Sequence, residues 1–155
     1  MGLVPAKEKF GIHLEQTQMT KPEDHLGPNG DGVPDNVERV TGNVIVDKSF
    51  EFALRIVKFC DRLRSGGWYD ASRQLFKSGT SIGANILEAQ EAESSADFIH
   101  KLKISSKEAS ETRFWLKLCK YSEELPYEEG MLEDLQDIRN VLSRIIISSR
   151  QNRTK

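Results

Sequence analysis

"SADFIHKLKISSKEASETRFWLKLC", residues 95–119, carries the most regular spacing in the chain. Phe98, Leu102, Ser105, Ala109, Thr112, Leu116 and Cys119 follow one another in alternating steps of four and three. Residues so spaced line one side of an α-helix, and a seam that recurs every seven residues belongs to helices packed in a left-handed bundle. Ser94 or Ser95 is placed to cap the start of this helix, and Asp97 falls in its first turn, where the helix dipole favours an acid.

The same alternation returns downstream in Met131, Leu135, Ile138, Leu142 and Ile145, a helix that Pro126 is expected to open from a first-turn position. Upstream, "DKSFEFALRIVKFCDRLRS" (47–65) sets Phe52, Ala53, Ile56, Cys60 and Leu63 on one side of a helix that Gly66 and Gly67 stop. Asp70 is expected to cap another helix that runs to about Glu93, with Leu75, Ile82, Ile86 and Ala89 inside. Short connections make neighbouring helices antiparallel. The expected fold is therefore all-α, an antiparallel up-down-up-down four-helix bundle over 46–152.

Before it, residues 1–45 read as an irregular acidic arm, because "KPEDHLGPNGDGVPDNVERVTGN" (21–43) is dense in turn formers and shows no period. Residues 1–47 hold four Lys and Arg against eight Asp and Glu, and the rest holds eighteen against sixteen. The formal net charge of −2 gives the chain no bulk attraction for nucleic acid or anionic membrane, so any such binding must come from local patches. No apolar run approaches a membrane span, and the first residues lack the pattern of a secretion leader, so a cytoplasmic location without membrane contact is expected. Cys60 and Cys119 fall on apolar helical positions and read as small buried hydrophobes.

"KSGTSIGANILEA" (77–89) sets two glycines inside a helix, where each costs about 1 kcal/mol against alanine. A phosphate loop would need a lysine and a preceding strand that are not there. Gly79 and Gly83 instead read as points of close helix packing, expected against the small residues Ser105, Ala109 and Thr112 of the third helix.

From Arg113 onward Phe114, Trp115, Leu118 and Tyr121 point away from the seam, and with Ile104 they leave the third helix apolar on more than one side. A second copy is expected to cover them, the alternative being the acidic arm. Two basic stripes, Arg55, Lys58 and Arg62 on the first helix and Lys103, Lys107 and Lys117 on the third, are either solvated faces or phosphate contacts multiplied by assembly.

Metal and catalytic readings are weaker. A di-metal bundle needs Glu-x-x-His on two helices, and "DFIH" supplies one Asp97 and His100 spacing alone. In the arm, Asn29, Asp31 and Asp35 fit part of a calcium-binding loop, but Gly27 stands where its first carboxylate belongs, so an acidic turn is expected. Glu108 and Glu111 lack a nucleophile or metal beside them. No enzyme activity and no cofactor are expected.

"NVIVDKSFEFALRIVKFC" and "SGTSIGANILEAQEAESSADFIHKLKISSKEASETRFWLKL", with the pattern of the last helix, resemble the small four-helix-bundle proteins encoded by intervening sequences in bacterial 23S ribosomal RNA genes. The resemblance spans about 43–150 and implies ring-shaped homopentamers with a central pore. It also implies kinship with the accessory protein of diversity-generating retroelements, which binds nucleic acid. It carries no catalytic residues, and the long N-terminal arm departs from it. The expected function is a non-enzymatic homo-oligomeric scaffold that binds RNA or DNA. The alternative is a protein-interaction module whose partner is a protein encoded nearby.

Overall fold

A computed structural model describes residues 42–153. Within them the chain forms four helices: α1 (Val44–Ser65), α2 (Tyr69–Gln90), α3 (Ser95–Tyr121) and α4 (Met131–Arg153). Connections at 66–68, 91–94 and 122–130 make successive helices antiparallel. α1 packs on α2 and α4, and α3 packs on α2 and α4, so the four close around one core. The fold is an all-α four-helix bundle.

The residues spaced by four and three face that core. Every seam residue of α3 from Phe98 to Cys119 is buried, as are Met131, Leu135, Ile138, Leu142 and Ile145 of α4. Phe52, Ile56, Phe59 and Leu63 of α1 meet them together with Leu75, Ile82 and Ile86 of α2.

Helix ends differ from the sequence reading in three places, each for a tertiary reason. α1 begins at Val44 because Ile45 and Val46, poor helix starters by their branching, are buried, while the Asn43 side chain accepts the Ile45 N–H at 3.3 Å. α2 begins at Tyr69, and Asp70 does not cap it but pairs with exposed Arg73 at 3.2 Å. The preceding turn is a Schellman motif: Gly67, at φ 86°, donates to the Arg64 carbonyl, and Trp68 donates to that of Leu63 at 2.9 Å. α4 begins at Met131 after Gly130 at φ 84°, so Pro126 lies in a loop whose Leu125 and Tyr127 pack against the core. Ser94 caps α3 through its hydroxyl, which accepts the Asp97 N–H at 3.1 Å.

The α2 glycines make close contacts, but with α1 and not with the small residues of α3. A Cβ at Gly79 would fall 2.8 Å from Cγ1 and Cγ2 of Ile56, and one at Gly83 would fall 3.4 Å from the carbonyl oxygen of Ser49. On the other flank of α2, Ser105 donates its hydroxyl to the Ile82 carbonyl at 2.9 Å. Thr112 satisfies its hydroxyl on the Glu108 carbonyl within α3, and Ala109 is fully buried. The small residues of α3 therefore satisfy and fill, while Gly79 makes room for the Ile56 side chain and Gly83 lies beside the Ser49 backbone.

Candidate nucleic-acid interface

The two basic stripes have different fates. On α1, Arg55 reaches the loop before α4: its Nη2 donates to Glu128 Oε1 at 2.7 Å and to the Glu129 carbonyl at 3.0 Å, and its Nη1 pairs with Asp134. Arg62 holds the other oxygen of Glu128 and lies 5.2 Å above the Phe59 ring. Burial works against the Arg55 charge, but its hydrogen bond to Glu128 and the pull of Asp134 outweigh that and hold the guanidinium protonated. Two of the three cations of the α1 stripe therefore clamp the 122–130 loop. In that stripe Lys58 alone is exposed and has no ion pair among the described residues.

On α3 the selection runs the other way. Lys101 pairs with Glu88 at 2.6 Å, and Lys120 pairs with Glu129 at 3.6 Å while standing 4.9 Å over the Tyr127 ring. Lys103, Lys107 and Lys117 are exposed and meet no carboxylate among the described residues. They stand opposite the buried seam in one line, Lys103, Lys107, Ser110, Phe114, Lys117 and Tyr121, again in steps of four and three. In that line Phe114 is 59% exposed and Tyr121 76%. Ile104, Trp115 and Leu118 form a parallel line on the flank toward α2. Trp115 is half-buried against the core and meets the Phe114 ring edge-on, 5.4 Å between centroids. Phe114 and Tyr121, which the sequence groups with Ile104, Trp115 and Leu118 under a second copy, thus stand in line with the α3 lysines, while Ile104, Trp115 and Leu118 keep the flank.

A second apolar face escaped the sequence reading. Phe50 and Val57 lie one step past Ser49 and Ile56 on the α2 side of α1, and Phe76 and Leu87 lie on the α1 side of α2. The contacts of Ser49 with Gly83 and of Ile56 with Gly79 set these four at matching levels of the two helices. All are exposed large hydrophobics. Phe50 and Val57 sit seven apart, a repeat that was legible but overshadowed by the stronger inner seam.

The groove of about 230 Å³ between α1 and α4 is lined by Lys48, Glu51, Arg55 and Asp134, with Lys48 paired to Asp137 and Arg55 to Asp134. Among the described residues no three His, Cys, Asp or Glu side chains cluster as metal ligands, and His100 is exposed. The calcium candidates Asn29, Asp31 and Asp35 lie outside the described residues. Cys60 and Cys119 are both buried, and burial pushes each thiol up to about 11. Neither thiol is expected to react with a soluble disulfide reagent at pH 8 until the protein unfolds. A fast native reaction of either in a stopped-flow thiol assay would contradict this packing.

A family model described as 23S rRNA-intervening sequence protein matches residues 42–148. Among solved structures, the chain is similar to a protein of unknown function from the S23 ribosomal protein family of Bacteroides thetaiotaomicron. The two share 46% identity over 66% of this chain and 97% of that one, with a TM-score of 0.63. No curated protein matches.

Proposed function

We propose, starting from the fact that this chain belongs to the 23S rRNA-intervening sequence protein family, that it is a non-enzymatic scaffold which assembles with its own copies and binds RNA or DNA along repeated basic surfaces. Five copies in a ring is the assembly that the resemblance implies. The observation that carries this reading is the apolar surface left outside the core: Phe50, Val57, Phe76 and Leu87 on one side of the bundle, and Leu118 with half-buried Ile104 and Trp115 on another. Surface of that kind on a water-soluble domain marks an interaction site. A ring further requires two different faces on each copy, since a face that met itself would close as a dimer. The α1–α2 face and the α3 flank supply such a pair.

Assembly would then repeat Lys103, Lys107 and Lys117, which have no ion pair among the described residues, around the ring, where neighbouring cations together release phosphate counterions. Light scattering is expected to give a mass several times the 17.6 kDa of one chain. Affinity for a structured RNA is expected to fall by about a thousand-fold or more between ~50 and ~200 mM salt, if each complex neutralises on the order of six phosphates or more. A stable single-chain species in dilute solution would refute the assembly, and absence of binding at the lower salt would refute the nucleic-acid role. A pull-down that keeps a protein partner after nuclease treatment would favour the protein-interaction alternative.

A further inference from the structure

We propose that the nucleic acid is single-stranded and lies along the outer line of α3, with bases stacked on Phe114 and Tyr121. This rests on the reading of the chain as a nucleic-acid binder and narrows it. From Lys103 to Tyr121 the line runs about 27 Å, at 1.5 Å per residue. Along it, two lysines precede Phe114 and a third stands between Phe114 and Tyr121, all three without carboxylate partners among the described residues and both rings exposed.

A protein partner fits this line poorly, because interface cores are depleted of lysine, and burying three ammonium groups would require carboxylates to meet them. A duplex answers the lysines but not the rings, since its bases are stacked inside and only phosphates reach a helix laid alongside. A single strand answers both, because its phosphates can follow the ammonium groups while its bases turn onto the aromatic faces. Phe114 and Tyr121 are seven residues apart, about 10 Å along the axis, so each can take its own base with Lys117 between them. The Phe114 ring is also pre-set by its edge contact with Trp115, which the core holds in place, so less side-chain freedom is lost on binding. Glu111, exposed on the flank, lies off the line.

Fluorescence anisotropy of the full chain with dye-labelled oligo-dT and oligo-U of about 16 nucleotides, and with a duplex of equal length, tests this. The Phe114→Ala/Tyr121→Ala pair is expected to weaken single-strand binding about ten-fold or more and to leave duplex binding within about two-fold. The Phe114→Tyr/Tyr121→Phe pair is expected to keep both. Lys103→Gln/Lys107→Gln/Lys117→Gln should weaken both ligands and lower the single-strand salt slope by about two. Single-strand affinity unchanged in the alanine pair, or lost equally for the duplex, overturns the stacking site while the nucleic-acid reading survives. Failure of the unaltered chain to bind either ligand at low salt removes both. If the alanine pair alters sedimentation, Tyr121→Ser alone decides, because that ring is 76% exposed in the single chain. Unchanged single-strand binding in that variant overturns the proposal.

Discussion

Replacing Gly79 with leucine is expected to lower stability by about 3 kcal/mol or more and the melting temperature by roughly 10 °C or more. The position is buried, and even a methyl there would stand 2.8 Å from two carbons of Ile56. Those carbons are the two branches on the Cβ of a fully buried side chain, so they cannot both swing aside as a flexible chain end could. Gly79→Ala sets the same clash against a helix-propensity gain of about 1 kcal/mol, so it should cost about 1 kcal/mol net. Gly83→Ala should cost nothing or stabilise slightly, since its methyl would meet Ser49 at 3.4 Å, an ordinary contact. Ile56→Ala deletes all three carbons that crowd Gly79, and although it costs about 2 to 5 kcal/mol alone, it should remove much of the penalty of Gly79→Leu. Thermal and urea unfolding at one fixed protein concentration supplies the cycle. If the two changes simply add, Gly79 does not owe its identity to Ile56.

That cycle also shows where the sequence stops being informative. The spacing of four and three revealed which side of α3 and of α4 turns inward, because periodicity is a property of one helix and needs no partner to be read. The glycines revealed that some backbone comes close. They did not reveal which, since a run of small residues sets a distance and not a direction, and the structure assigns the approach to α1. Helix starts failed for a similar reason. Val44, Ile45 and Val46 look unlike a helix start until two of them are buried, and Pro126 looks like one until Leu125 and Tyr127 are seen against the core. The α1 cations looked free because the carboxylate that takes both arginines, Glu128, arrives more than sixty residues later. Lys103, Lys107 and Lys117 were legible as a stripe, but their sharing of an outer line with Phe114 and Tyr121 follows only once the orientation of the helix is fixed by its neighbours.

The second large effect is expected from Phe76→Glu combined with Leu87→Glu. Both side chains are exposed in the single chain, at 43% and 53%, so the variant should fold with unchanged helical circular dichroism. The cost should fall on association. Two carboxylates would be drawn out of water into an apolar contact without partners, and each such burial costs several kcal/mol, enough together to raise the dissociation constant of the subunit contact by a thousand-fold or more. Sedimentation velocity at micromolar concentration should then show one species near 17.6 kDa, whereas Asn140→Glu, a charge added on an exposed residue of α4, should leave the assembly whole. The same variant links assembly to binding. Its α3 lysines and rings are untouched, so each copy keeps its own stacking line, but the line is no longer repeated, and both affinity for a long RNA and the steepness of its salt dependence should fall together. Persistence of the oligomer would move the subunit contact away from the α1–α2 face. A monomer that binds long RNA as tightly as the parent would show that one α3 line suffices, and repetition would lose its place in the function.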